Sequence, residues 1–406
     1  MLARNAVLAV ARRYAPEMPP KPNGKGRGGS MAANCSVLAG ARLLTPEGLK
    51  KGHLAIAEGL IKDMGNGSVP MSAENLEGDF LLPGLVELHT DNLEKHLRPR
   101  PGLYWPEPGA AMEAHDAQLV SAGITTVLDS VCVGEPVDKG RQVLLDLSLR
   151  ALEEASDRLR ADHRLHLRCE ISDPLMGDFF DSVCHHPLLS LVSLMDHTPG
   201  QRQYRDLEAY KVYHNLKRVD SEFEALAQQI KERREKHAAR HCQKVSEFIS
   251  KNNVTLATHD DTLPEHIEEA LALGATISEF PTTIEAAREA IKNGLAVAMG
   301  APNLVRGGSH SGNVSAMEVA REGLLSVLSS DYVPSSLLSG AFILCRDCGY
   351  SLEGALKVVT ENPARLGKLG DRGRLVPGLR ADLVRVGLSR GRPVVKNVWV
   401  TGQRVF

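Results

Sequence analysis

A chain of 406 residues, 43% apolar and 24% charged, can bury a large core, which excludes disorder for most of its length and suits one α/β barrel plus a small satellite domain. Its 48 basic and 50 acidic residues leave a formal net charge of -2, so no global field draws it to nucleic acid or to an anionic membrane, and an anionic ligand must be met by a local basic site. No apolar run approaches the ~20 residues of a membrane span, and seven cysteines, odd in number and scattered through apolar stretches, read as reduced cytoplasmic thiols.

The chain opens with residues 1 to 31, where Arg4, Arg12 and Arg13 precede the first acid, Glu17, and a Pro/Gly-rich stretch follows. Two readings stay open: an organellar transit segment, or, the expected one, a disordered extension with Met31 as the working start. Gly24, Gly26 and Gly29 spell GxGxxG, but no strand leads in and no helix follows, so dinucleotide binding is rejected. From 32 to 80, runs such as CSVLAGARLL and HLAIAEGLIKDMG alternate with Gly and Pro turns. Residues 373 to 406 read the same way, so the two ends are expected to pair into a small β-sandwich.

Between them, over residues 81 to 372, apolar strand-like runs alternate with helical patterns. The runs fall at 80–91, 123–130, 164–172, 188–197, 254–261, 275–282, 295–303 and 323–332. Eight βα units close into a (β/α)8 TIM-like barrel. Leu207 to Lys251 interrupts the rhythm with long helical periodicity and basic clusters such as KERREKHAARH, read as a solvated helical pair rather than a nucleic-acid arm. Cys345 and Cys348 have CxxC spacing, but no second CxxC or paired histidines complete a zinc site, so the spacing reads as a helical coincidence.

His, Asp and Glu recur at the C-terminal ends of these runs, where barrel enzymes place their chemistry. His89 and Asp91 close the first as H-T-D, alternate positions that share one face of a strand. Glu170 falls late in the third, His197 ends the fourth, His259 the fifth and Asp331 the eighth. One such histidine is more often a core residue. Six imidazoles and carboxylates converging on one barrel mouth would be costly to bury without a cation. Their number suits two divalent ions, with zinc, manganese and magnesium all open, and water activation as the chemistry.

This pattern resembles the amidohydrolase superfamily. By that likeness His89 is a first-strand ligand, Glu170 takes the bridging position, His197 and His259 are the later imidazoles, and Asp331 is the terminal aspartate. Asp91 departs from it, a carboxylate where many members have a second histidine. More narrowly, PGLVELHTDNLEKHLRPRPG with Trp105, HLRCEISDP, MDHTPGQRQYRD, SEFPTT, GAPNLVRGGSHSGN and SSDYVP resemble the members of that superfamily acting in the carbon-phosphorus lyase pathway, over nearly all of residues 32 to 406. The resemblance implies hydrolysis of a ribose 1-methylphosphonate 5-triphosphate to the 5-phosphate and pyrophosphate. In the mechanism expected for it, Asp331 accepts the proton of the attacking water.

The cationic loops fit such a substrate. Lys95, Arg98 and Arg100 follow the first metal strand, Arg202 follows His197, and NLVRGGSHSGN adds Arg306, His310 and glycine-freed amides. Each of these arginines alone reads equally well as a surface residue. His96, His185 and His186 are left without a role. The competing functions are a cyclic-amide or N-acyl hydrolase and, from another class, a metal-free scaffold subunit. The expected partner is the small anionic substrate, without nucleic acid or membrane, and a homo-oligomer stays open.

Overall fold

The computed structural model describes residues 35–135, 140–204, 210, 220–308 and 312–406. The expected N-terminal extension and His310 lie outside them. Strands β1 (Ser36–Thr45), β2 (Gly48–Ala57), β3 (Leu60–Gly65), β4 (Glu74–Asn75) and β5 (Phe80–Pro83) open the chain. Eight parallel strands follow: β6 (Leu85–Thr90), β7 (Ile124–Val133), β8 (Asp162–Glu170), β9 (Leu189–Met195), β10 (Thr255–His259), β11 (Ile277–Glu279), β12 (Ala296–Gly300) and β13 (Val327–Ser329). The last three are β14 (Leu383–Ser389), β15 (Arg392–Val400) and β16 (Gln403–Arg404).

The two ends of the chain meet as expected, in one mainly antiparallel hydrogen-bonded sheet of eight strands separate from the barrel. The join is made by β5 and β14, with Leu383 opposite Pro83 and Val386 opposite Phe80, so this sheet runs on through Pro83. Its own apolar core comprises Leu38, Leu43, Leu54, Ile56, Ile61, Leu81, Leu383 and Trp399, among others.

Each of the eight runs read from the sequence overlaps one barrel strand, because runs buried on both faces keep only short apolar windows between helical patterns. Closure comes at a point. Thr90 bridges Asp331 in parallel, its hydroxyl donates to the Asp331 carbonyl at 2.6 Å, and Asp331 N donates to the His89 carbonyl at 3.2 Å. Only Gly84 separates the small sheet from β6, and a Cβ there would lie 2.0 Å from Thr125 Oγ1.

Strand alternation then builds the site. Leu128, Leu191, Ala257, Ile277, Ala298 and Val327 form an apolar layer in the lumen. Two residues further along each of these strands, on the same face, come Ser130, Ser193, His259, Glu279, Gly300 and Ser329. A polar layer therefore caps an apolar one toward the C-terminal mouth.

In the charge-rich stretch, Asp220–Lys251 is one helix of 32 residues, of which Phe223, Ile230 and Val245 bury one stripe; most of the segment in which the other helix of the expected pair would fall lies outside the described residues. Cys345 lies in the helix Ser336–Asp347 and Cys348 at its C-terminal end, both thiols free. Among the described residues, no helix is long and apolar enough to cross a membrane.

Candidate active site

At the C-terminal mouth lies a cavity of about 450 Å³, within the usual range for a small-molecule site. His89, Asp91, His197, His259 and Asp331 all line it, joined by Asp260, Arg168, Lys95 and Arg306. Five of the six expected ligands thus meet in one place. The sixth, Glu170, sits behind His197, where Oε2 is 2.9 Å from His197 Nδ1 and Oε1 accepts from Ser172 Oγ at 2.6 Å. Glu170 is not among the residues lining the cavity.

Backbone geometry explains how the mouth is shaped. Asp260 and Phe280, which immediately follow β10 and β11, and Asp331, two residues beyond β13, all take left-handed backbone, with φ of 57°, 52° and 51°. Non-glycine residues pay for this conformation in strain, and it clusters at functional sites. The consequence at Asp260 is specific. A residue next to His259 in an extended strand would face the opposite way, but the turn brings Asp260 Oδ2 to 2.8 Å from His259 Nδ1 and 3.8 Å from His197 Nε2. On β6, the register against β7 shifts between Glu87 and Thr90, a bulge beside the site that re-aims the His89 to Asp91 segment.

Two of the three imidazoles are held from behind. His89 Nδ1 is 3.0 Å from Glu279 Oε1, and His197 Nδ1 meets Glu170, which leaves each ring's Nε2 for the cavity. Glu279 in turn accepts from Ser193 Oγ at 2.5 Å. Burial, reinforced by the charge of Arg168, holds His89 well below the usual imidazole range, in the neutral form that can ligate a metal. At His197 burial acts the same way but is outweighed by Glu170 and Asp260, and the net shift is upward. Burial and then the neighbouring Asp91 carboxylate push Asp331 up to about 7. Glu87, which accepts from His89 N at 2.7 Å and Ser330 N at 2.5 Å, is pushed up by burial to about 8.

These atoms fit a divalent cation. Asp91 Oδ1 is buried without a hydrogen-bond partner, and His259 Nδ1 is met by the Asp260 carboxylate at 2.8 Å. A buried polar atom left as Asp91 Oδ1 is calls for a ligand. His197, His259 and Asp260 moreover offer three ligand atoms within 4.8 Å of one another.

The expected cationic residues divide. Lys95 and Arg306 line the cavity from exposed positions, Lys95 with its ammonium bonded to the Tyr332 carbonyl. Arg98 lies 5.9 Å over the Tyr104 ring and Arg100 is exposed, both away from the cavity lining. Arg202 is turned to the protein itself, where it bonds Asp261 and donates to the His259 carbonyl at 3.0 Å. The sequence reading passed over Asp260, Arg168 and Glu279. For Arg168 a signal existed, since residues 166, 168 and 170 alternate onto the lumen face and all three are polar.

A parallel eight-stranded barrel with histidines and carboxylates at its C-terminal mouth and a small sheet built from both chain ends defines a class of hydrolase. The chain belongs to the amidohydrolase family, whose sequence pattern matches residues 80–405. It is 43% identical over 380 residues to the alpha-D-ribose 1-methylphosphonate 5-triphosphate diphosphatase of Escherichia coli (strain K12), covering 91% of this chain and 100% of that one. Among solved structures, it resembles N-isopropylammelide isopropylaminohydrolase from Burkholderia multivorans, with a TM-score of 0.63, 17% identity, and 91% and 98% of the two chains covered. It also resembles N-acetylglucosamine-6-phosphate deacetylase from Pasteurella multocida, with a TM-score of 0.61, 11% identity, and 91% and 99% covered. At those identities the shared feature is the fold.

Proposed function

We propose that this chain hydrolyses α-D-ribose 1-methylphosphonate 5-triphosphate to the 5-phosphate and pyrophosphate in phosphonate metabolism. The full-length likeness to the diphosphatase supports the substrate. The observation in the site that carries it is one cavity lined by histidines and carboxylates with Arg168, Lys95 and Arg306. A neutral cyclic amide has no need of three cations; a triphosphate does.

His89, Asp91, His197, His259, Asp260 and Asp331 are the residues that would hold two divalent ions, zinc, manganese or magnesium, with Glu170 orienting His197. Ions bound there would supply a water acidified toward a pKa of ~7 and positive charge beside the phosphoryl oxygens. The chain's own residues do the rest. Lys95 and Arg306, at the rim, grip the outer phosphates. Water attacks the phosphorus nearest the ribose, Asp331 takes its proton, and the bond to the bridging oxygen breaks so that pyrophosphate leaves with that oxygen. Seven free thiols support action in the reducing cytoplasm.

The test is phosphorus NMR of manganese-loaded protein with the phosphonate triphosphate, beside a chelated sample and an ordinary nucleoside triphosphate. Metal-dependent pyrophosphate release from the phosphonate substrate alone is the expected result. Equal cleavage of the nucleotide would make it a general triphosphate hydrolase, and no reaction with metal bound would move the carbonyl-hydrolase reading ahead.

A further inference from the structure

Among the cations lining the cavity, Arg168 differs from Lys95 and Arg306 in being buried, 8% exposed, where both of those are exposed at the rim. It projects from β8 on the face shared with His166 and Glu170, and its Nη1 lies 3.8 Å from Asp91 Oδ2. Its charge acts on His89, His197 and Asp331 alike, so it stands within electrostatic reach of ligands from both sides of the site.

A fixed guanidinium in such a place competes with any metal ion for the same carboxylates and repels it. That arrangement is stable when an anion lies between them, because the anion is attracted by both. A carbonyl substrate brings no such charge; a phosphoryl group brings it on its nonbridging oxygens. We propose that Arg168 contacts the phosphoryl group under attack, donating N–H bonds to its nonbridging oxygens as charge builds there. The inference rests on the triphosphate reading above. It also orders the substrate in the cavity, with the scissile phosphorus at the buried end and the departing pyrophosphate toward Lys95 and Arg306. Arg168 neither takes nor gives a proton, since a guanidinium stays charged throughout. The water's proton still goes to Asp331, and the electron pair of the broken P–O bond leaves with pyrophosphate.

The experiment compares the full-length protein with Arg168→Met and Arg168→Lys, each loaded with manganese and assayed for pyrophosphate release, with metal content measured on the same samples. Arg168→Met is expected to lower kcat by ~10²- to 10³-fold while KM moves far less, the signature of a contact made mainly in the transition state. Arg168→Lys, which keeps the charge but not the planar fork, should recover part of the loss. Metal content should match wild type, and inorganic phosphate binding to metal-free protein, read by calorimetry, should weaken at least about tenfold in Arg168→Met. Metal lost in proportion to activity would overturn the proposal, because Arg168 would then act only by placing Asp91. An unchanged kcat in Arg168→Met, or unchanged phosphate binding, would overturn it as well. A wild-type protein that leaves the triphosphate intact would instead sink the functional reading beneath it.

Discussion

Asp331 combines three properties that rarely meet in one residue. It closes the barrel through the Thr90 bridge, it holds left-handed backbone at φ 51°, and burial beside Asp91 lifts its carboxyl to about 7. The strain and the like-charge neighbour are costs that a structural aspartate would shed, and perturbed carboxyls of this kind gather at sites of chemistry. Asp331→Asn, assayed at saturating metal, should therefore lose ~10²-fold or more in kcat with KM little changed. A variant that loses only affinity would remove Asp331 from the proton-accepting role.

At the scale of elements, the small sheet joins the barrel at the N-terminal end of β6. Gly84 is the single residue between β5 and β6, with Thr125 of β7 packed where a side chain would go. Gly84→Ala should cost about 1–3 kcal/mol through overpacking, read as a lower Tm. A fully stable variant would show that the junction is looser than the packing implies. Below the mouth, β7 and β8 are tied by a buried chain in which His163 Nδ1 meets Asp129 Oδ2 at 2.7 Å and His115 Nε2 meets Asp129 Oδ1 at 2.8 Å. Asp116, itself paired with Arg160, faces the other nitrogen of His163 at 3.3 Å. Burial alone would lower His163, but the two aspartates outweigh it and raise it from the usual 6.5 to about 9; Asp129 is lowered to about 2 despite its burial, by His163 and His115. The raised histidine stabilises the fold fully below pH ~6.5 and loses that contribution as the pH rises through ~9, while the lowered aspartate contributes above pH ~4 and loses it only as the pH falls through ~2. The destabilisation of His163→Gln relative to wild type, on the order of 3 kcal/mol, should therefore be largest near pH 5 to 6 and shrink toward pH 9. A difference independent of pH would mean that His163 is neutral in the fold.

For the whole molecule, the ligands come from β6 and the segments at the C-terminal ends of β6, β9, β10 and β13, far apart in sequence and adjacent only in the closed barrel. Any ion they share binds the folded chain and not the unfolded one. Manganese at about 100 times its Kd should then stabilise the protein by about 2.7 kcal/mol. Unfolding followed with and without chelator checks this, and coincident curves would mean that the cluster is not a cation site. The eight-stranded small sheet is likewise complete only in the folded chain, since β14 from the C-terminal end joins it at β5.

The sequence alone determined the eight-strand barrel, the small sheet from both ends and five of the expected metal ligands that line the cavity, because each depends on a local period: alternation within a strand, and a polar residue where an apolar run stops. Only the tertiary structure decided the roles that hang on a turn or on distance. Asp260 could not be read beside His259, since strand alternation sends neighbours to opposite faces and a left-handed residue undoes that rule. Glu170 stands behind His197 and Arg202 against Asp261 because loops between strands set where a long side chain ends, and no sequence period encodes that. Arg168 was legible in its alternation with Glu170, but its importance follows from burial among carboxylates and imidazoles of other strands, which only the closed barrel brings together.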